Sequence, residues 1–384
     1  MKKICVVISS RASFSRFRMA LKEINNKSDL NVILTASAAN EFYGNVKQQL
    51  IEDNIKGIQE INSLCNDSSL VGQVKTTSET MNRLAEVFEK LMPDIVVTIA
   101  DRYETIATAI AASYMNISLV HIQGGEVTGN IDEKVRHAVT KLSDFHLVST
   151  NRAKQFLIKM GESEDRIKVT GCPSCDIAEH ALKNSMNISE ITKKYMPNGI
   201  TMNRKIIELS DRDYYVVIFH STTNELETLH DRLCALLSAI NKAGKKCLWV
   251  RGNVDAGASK IDELISDNSS IYSIPPMESE DFLHLLIHSA GVIGNSSVAI
   301  RECSYLGIPA VNIGSRQYGR ERGNNVIDVG DSEQEIVEGI SQIGKMKCSQ
   351  SLLYGNGHAG HKIAEYILNY DLPPKKSITY VEEI

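Results

Sequence analysis

No run of apolar residues in this 384-residue sequence is long enough to span a bilayer. The first strand-like stretch, Ile4 to Ser9, is too short and too soon followed by Arg11 to be a signal peptide, so a cytoplasmic protein with no membrane partner is expected. Positive charge is not in excess: the net charge is −5, and the Lys245-Lys246 and Lys375-Lys376 pairs have no aromatic residues between them. That argues against a general nucleic-acid partner. The eight cysteines are scattered, as reduced core thiols would be. Cys172-Pro173-Ser174-Cys175 has CxxC spacing but no second CxxC or histidine pair to complete a zinc site. His284 and His288 stand four apart on a helical face, yet no glutamate follows the first, so they read as plain helix surface. Internal repeats and low-complexity segments are missing too.

What remains is a soluble globular composition, 42% hydrophobic and 23% charged, on a chain long enough for two domains. Short apolar strands alternate with helical patterns. In the first half the strands are Ile4–Ser9, Asn31–Thr35, Asp94–Ala100, Ser118–Gln123, Phe145–Ser149 and Ile167–Gly171. Helical periodicity lies near Phe14–Ile24, Thr80–Leu91, Tyr103–Met115 and Glu133–Leu142. Periodicity fades over 176–212, which reads as a linker. It restarts with strands at Tyr214–Phe219, Lys246–Arg251, Ile271–Ile274, Gly291–Ile293, Ala310–Ile313 and Asn325–Val329, with helices at Glu225–Ala243, Glu280–Ser289, Val298–Leu306 and Glu333–Ile343 between them. Such alternation implies parallel sheets covered on both faces. The expected class is therefore α/β, with two Rossmann-like doubly wound domains at 1–178 and 179–365 and a helix and tail at 366–384. Ligands of such folds bind at the carboxyl ends of the strands, in a cleft if the domains face one another.

The residues following those strands have chemical rather than structural character: Arg11, Asp101, Gln123, Glu126, His220, Asn253, Asp255 and the segment Gly294 to Glu302. Within that segment Gly294-Asn295-Ser296-Ser297 turns a buried strand into a helix whose first turn is expected to offer free amides and two hydroxyls to a phosphate. Glu302 lies too far into that helix to cap it and suits the paired hydroxyls of a ribose. Arg316 and Arg320 supply nearby cations. The whole reads as a nucleoside-diphosphate site. Asp101 on its own would serve equally as a helix cap, and Arg136 and His137 read as structural residues of a helix near the site.

In order, Ala100-Asp101-Arg102, His121-Ile122-Gln123-Gly124-Gly125-Glu126-Val127-Thr128-Gly129, Ile131-Asp132-Glu133 and Val135 to Leu142 resemble the hydrolysing UDP-N-acetylglucosamine 2-epimerases of sialic-acid and nonulosonic-acid biosynthesis. Gly171-Cys172-Pro173-Ser174, Asn253-Val254-Asp255-Ala256-Gly257 and Gly314-Ser315-Arg316-Gln317 extend the likeness from Ile4 to about Tyr366, and it is similar to the epimerase half of bifunctional epimerase/kinases. The resemblance implies a GT-B-like fold and a homodimer or homotetramer. It implies a reaction that breaks the bond from the anomeric carbon to UDP while the C2 proton leaves. The products are UDP and a 2-acetamidoglucal, which takes up water from the other face of C2 to give N-acetylmannosamine. UDP-sugar and UDP are then the partners. No metal or other cofactor is required, since the helix end and the arginines carry the diphosphate charge. Transferred onto this chain, Asp101 and Asp132 match carboxylates of the proton transfers, with Glu126 beside them. His220 and Arg11 match diphosphate contacts, His220 being counted with the catalytic groups. Arg102, Asn253, Ser296, Ser297, Glu302 and Arg316 match substrate contacts.

The pattern breaks at Ser13, at Ser37-Ala38, at Ala100, at His220-Ser221-Thr222-Thr223, and above all at Gln123, where the family commonly has glutamate. An amide cannot shuttle a proton at neutral pH. Either Asp101 and Asp132 suffice, or the substrate has drifted to a UDP- or GDP-linked N,N′-diacetylbacillosamine, or the protein binds nucleotide sugar with weak turnover. A GT-B glycosyltransferase is a further alternative, against which the Gly124-Gly125-Glu126 and His137-to-Leu142 motifs speak.

Overall fold

The computed structural model describes residues 1–370, 376–377 and 379, apart from 68, 129–130, 203–204, 223–224, 251–257, 267, 269 and 276. The chain divides into two compact units, one of Met1–Glu126, Ile131–Asp176 and Gly355–Ile384, the other of Val127–Asn130 and Ile177–Tyr354.

The first unit is built on the strands β1 (Lys3–Ile8), β2 (Asp29–Leu34), β3 (Ile58–Glu60), β4 (Ile95–Ile99), β5 (Ser118–Ile122), β6 (Phe145–Val148) and β7 (Ile167–Val169). They form one sheet in the order β3-β2-β1-β4-β5-β6-β7, with every pairing parallel. Residues of β4, β5 and β6 are all buried, so helices must cover both faces. Those helices are α1 (Arg11–Asn25), α2 (Val46–Glu52), α3 (Leu70–Leu91), α4 (Thr105–Tyr114), α5 (Ile131–Leu142) and α6 (Asn151–Lys159). Phe14, Phe17, Leu21 and Ile24 of α1 pack on one face, and Leu84 and Phe88 of α3 on the other.

The chain leaves this unit within α7 (Pro173–Lys183), and α8 (Ile188–Tyr195) follows, started by a reciprocal Asn187–Glu190 capping box. A small antiparallel hairpin, β8 (Ile200–Met202) with β9 (Lys205–Ile207), comes next. The expected linker over 176–212 is thus ordered structure. Its elements are too short and too polar for a clear period to show in the sequence.

The second sheet contains β10 (Tyr214–Ile218), β11 (Lys246–Val250), β12 (Ile271–Ile274), β13 (Gly291–Gly294), β14 (Ala310–Ile313) and β15 (Val326–Val329), ordered β12-β11-β10-β13-β14-β15 and parallel throughout. Around it lie α9 (Leu229–Lys242), α10 (Ala258–Ser266), α11 (Ser279–Ile287), the short α12 (Glu302–Leu306) and α13 (Glu333–Ile343). Trp249, Leu233, Leu236 and Ile336 centre its core.

The last helix, α14 (Ala359–Asn369), returns to the first unit. The carboxylate of Asp176, in the first turn of α7, accepts from the N–H groups of Ala359 (2.8 Å) and Gly360 (2.6 Å) and so caps it. Both units are doubly wound, as the alternation of strand and helix led one to expect. Among the described residues no helix is long and apolar enough to cross a membrane.

Candidate active site

Each sheet reverses its strand order once, between β1 and β4 in the first unit and between β10 and β13 in the second. The carboxyl ends of those strands are where such folds bind ligands.

In the first unit Ser10 caps α1, its hydroxyl accepting from the Ser13 N–H at 3.1 Å, and Arg11 opens the helix. Gly44, with φ +115°, lets the chain pass against the Arg11 side chain; a Cβ there would lie 2.8 Å from Arg11 Cδ. Past the ends of β4 and β5 stand Ala100 and Gln123, both non-glycine residues at φ +67°. Each N–H still bonds the neighbouring strand, Ala100 to the Ile122 carbonyl (2.9 Å) and Gln123 to the Leu147 carbonyl (2.8 Å). Strain of this kind collects at functional sites. Here it delivers Asp101 and the Gln123 side chain.

Arg136 is the hub of this region. It is fully buried on α5, and its guanidinium donates to the Asp101 carboxylate and to the Glu126 backbone carbonyl, the latter at 2.6 Å. A buried guanidinium left unpaired would be strongly destabilising, so the pair fixes Asp101. Asp132 lies one turn earlier on the same face of α5, in its first turn. Arg136, which the sequence reading had taken as structural, thus holds the Asp101 carboxylate and the Glu126 backbone, with Asp132 one turn earlier on its own helix. Asp101 is not the cap of α4: that position belongs to Glu104.

His121, on β5, ties these parts together. A carbonyl only accepts, so Nε2 donates to the Ala100 oxygen (2.9 Å) and Nδ1 accepts from the Thr140 hydroxyl on α5 (3.2 Å). Burial drives its pKa down to about 3, against a smaller upward pull from the Ala100 carbonyl, and the ring is neutral. Gln123 is 1% exposed. Its Oε1 accepts from Arg16 Nη1 (3.4 Å) and its Nε2 donates to Cys172 Sγ (3.1 Å). Arg102, by contrast, points into its own loop, where it is paired with Glu104 at 2.7 Å and lies over the Tyr103 ring.

In the second unit the switch point is bridged by one side chain. Asn295 Oδ1 accepts from the His220 N–H and its Nδ2 donates to the His220 carbonyl, both at 2.8 Å. The Asn295 carbonyl in turn accepts from Arg316 Nη1 (3.1 Å) and Gln317 Nε2 (2.9 Å). Gly294 makes this crossing possible: its φ is +139°, and a Cβ would fall 1.9 Å from the Ile218 oxygen. The expected continuous helix over Val298–Leu306 is instead a 3-10 turn, Ser297–Ala299, and then α12, which Glu302 begins. Ser296 is the turn's cap, its hydroxyl accepting from the Val298 N–H at 3.4 Å. Glu302 therefore sits at a helix start, not deep inside a helix. Its Oε2 is enclosed without a hydrogen-bond partner among the described residues.

Beside this, Glu225 accepts from Thr222 Oγ1 (2.5 Å), Ser315 Oγ (2.7 Å) and Arg232, joining the loops after β10 and β14. Burial opposes its ionisation, but those three donors hold its pKa below the ordinary value. The helix α9 starts at Leu229, beyond this loop, where the sequence pattern had begun it at Glu225. Asn253 lies outside the described residues. His284 is buried and accepts from the Met186 N–H at 3.4 Å, and His288 is bonded to Asp211 and the Met186 carbonyl. Neither is plain helix surface. Among the described residues no group of three His, Cys, Asp or Glu side chains is arranged to hold a metal.

Sequence reasoning had not singled out Arg16, Glu225 or Arg232, and it read the Cys172 spacing as coincidence. The only signal available was closeness to a strand end: Arg16 is five residues past Arg11, and Cys172 follows β7.

Two doubly wound sheets with charged constellations at their switch points define an α/β protein of the GT-B-like class. The chain belongs to the UDP-N-acetylglucosamine 2-epimerase family, whose model matches residues 19–368. It is 33% identical over 349 residues to polysialic acid biosynthesis protein P7 of Escherichia coli, covering 89% of this chain and 86% of that protein. It is 31% identical over 369 residues to the hydrolysing UDP-N,N′-diacetylbacillosamine 2-epimerase of Legionella pneumophila, covering 94% of each. In fold it is similar to the Methanocaldococcus jannaschii UDP-GlcNAc 2-epimerase solved with UDP-GlcNAc and UDP, with a TM-score of 0.80 at 19% identity, covering 96% of this chain and 99% of that one.

Proposed function

We propose that this protein is a hydrolysing 2-epimerase that converts UDP-N-acetylglucosamine and water to UDP and N-acetylmannosamine. The observation that carries the proposal is the Asp101–Arg136 pair, with Asp132 one turn away on α5. A carboxylate held by a guanidinium is ionised at neutral pH, the form that accepts a proton from C2. Asp132, half-buried at the start of α5, is the second proton-transfer group. Gln123 contributes a neutral dipole and shuttles no proton. Arg316, bonded to the Asn295 carbonyl at the end of β13, meets the diphosphate as charge develops on the leaving UDP. The enclosed, unpartnered oxygen of Glu302 suits a ribose hydroxyl, which would supply the missing donor. Hydrolysis is favoured by the relatives: two at 31% identity are named as hydrolysing epimerases.

The names of those same two relatives favour a second substrate, UDP-linked N,N′-diacetylbacillosamine, whose C4 amide the first unit would have to admit. Proton NMR in D2O with each nucleotide sugar tests both readings. The expected result is free UDP and a 2-epimeric sugar carrying deuterium at C2. Intact substrates with UDP still bound would overturn the reaction and leave a nucleotide-sugar-binding protein. UDP released only in the presence of a sugar acceptor would make it a glycosyltransferase.

A further inference from the structure

Gln123 is held at both ends of its amide, and the two ends differ chemically. Arg16 can only donate, so it selects the carbonyl oxygen, and the NH2 group must then find an acceptor. The acceptor in the structure is the sulfur of Cys172, at 3.1 Å. Cys172 stands directly before Pro173, the first residue of α7, and its carbonyl accepts the Cys175 N–H at 2.9 Å. A helix start favours electron density on a sulfur placed there. A carboxylate has two equivalent oxygens and would need no such arrangement. An amide does: turned over, it would put NH2 against the Arg16 guanidinium. Both Gln123 and Cys172 are buried, so bulk solvent does not offer the amide another acceptor.

We propose that Cys172 is a positioning residue acting through Gln123: its sulfur, opposite Arg16, locks the amide with its carbonyl toward the arginine. The lock turns residue 123 into a fixed dipole of the site. Preorganised dipoles need no rearrangement as charge develops, so the lock is felt in kcat more than in KM. Its effect on turnover rests on the epimerase reading above; the orientation of the amide does not.

The test is a double-mutant cycle on UDP release with Cys172→Ala, Gln123→Ala and the double variant, joined by Cys172→Val, which fills the space of the thiol without an acceptor. Cys172→Ala and Cys172→Val should each lower kcat about tenfold with KM changed less than about twofold. Cys172→Ser, whose hydroxyl accepts, should recover most of that loss. In the Gln123→Ala background neither Cys172 change should lower kcat further. A loss that persists undiminished in that background means the cysteine only packs, and overturns the proposal. A second readout needs no turnover. In protein labelled with nitrogen-15 glutamine, the side-chain NH2 signals lost in Gln123→Ala should move in Cys172→Val and return toward their original place in Cys172→Ser. Signals unmoved in Cys172→Val overturn the lock. If the wild type releases no UDP, the epimerase reading fails while the amide signals still decide the role of Cys172.

Discussion

The two sheets end their working strands in different ways. Past β2, β4 and β5 the first unit turns on Ala36, Ala100 and Gln123, with φ of +46°, +67° and +67°. At the last residue of β13 and just past β14 the second turns on Gly294 and Gly314, at +139° and +69°. An L-residue in the left-handed region costs about 1 kcal/mol, a glycine almost nothing. The first unit carries that cost and places side chains at the turn: Gln123 reaches Arg16 and Cys172, and Ala100 is held by His121 beside Asp101. At Gly294 the second removes the side chain so that backbone can cross backbone closely, and surrounds the crossing with Asn295, Arg316 and Gln317; at Gly314 the space goes to the side chains of Arg232 and Asp331. One region sets side chains at its turns and the other packs backbone against backbone, and the proposed function assigns the chemistry to the first and the diphosphate to the second.

The sharpest way to break that contrast is Asp101→Asn. It keeps the shape but removes the proposed base, so kcat for UDP release should fall about a thousandfold. UDP affinity, measured by calorimetry, should change less than about twofold. A large loss of UDP affinity would mean that the first region also holds the nucleotide. Next comes Gly294→Ala. The added Cβ meets the Ile218 carbonyl oxygen at 1.9 Å, and that oxygen is backbone that cannot step aside. Denaturant unfolding should show a loss of about 3 kcal/mol or more, together with loss of UDP binding. Unchanged UDP binding would separate this turn from the nucleotide site proposed above.

Acid probes the side-chain region through His121. Its folded pKa, about 3, lies below the ordinary histidine value of about 6.5, so between those limits the unfolded chain binds the extra proton. The contribution is complete above about pH 6.5 and is lost progressively as pH falls toward 3. At pH 5 the loss amounts to about 2 kcal/mol from this group. His146, buried on β6, is shifted in the same direction, with burial the first cause and the Glu162 hydrogen bond opposing it. His121→Gln keeps a donor for Ala100 and an acceptor for Thr140 but does not titrate. Its unfolding free energy should therefore vary less steeply than wild type between pH 6.5 and pH 5. Equal slopes would remove His121 from the account.

The same contrast shows what could be read from the sequence. The buried strands were legible because parallel strands covered on both faces are unbroken apolar runs: Ile95–Ile99 and Tyr214–Ile218 stand out without any partner in view. The residues after them were legible as strand-end chemistry for the same reason. Several stretches were not, the helices α6, α7, α8 and α10 among them. The 3-residue β3, the hairpin β8–β9 and the helix α2 carry too few residues to show a period. In the sites, contacts across the sheet were invisible. Gln123 meets Arg16 at a sequence separation of 107 and Cys172 at 49, and Asn295 meets His220 at 75. The resemblance pointed to Asp101 and Asp132 but not to the arginine that pairs with Asp101, because a buried cation on a helix looks like any other polar residue until its partner is known. Asn295 passed as one letter of a glycine-rich turn, although its side chain is what spans the switch point.

The smallest expected effect bears directly on the strain. At Ala100 a glycine would relieve the left-handed penalty, while widening the unfolded ensemble takes part of that gain back. Ala100→Gly should therefore be more stable by about 0.5 kcal/mol, readable as a small rise in Tm. The turnover should move the other way. Ala100 N–H and C=O are held by Ile122 and His121, and a freer backbone there lets Asp101 drift from Arg136. A fall in kcat of about threefold with unchanged UDP affinity would show that the strain fixes the carboxylate, at a cost in stability the first unit accepts and the second avoids. A variant both more stable and fully active would show that the left-handed alanine is incidental, and that Arg136 alone holds the Asp101 carboxylate in place.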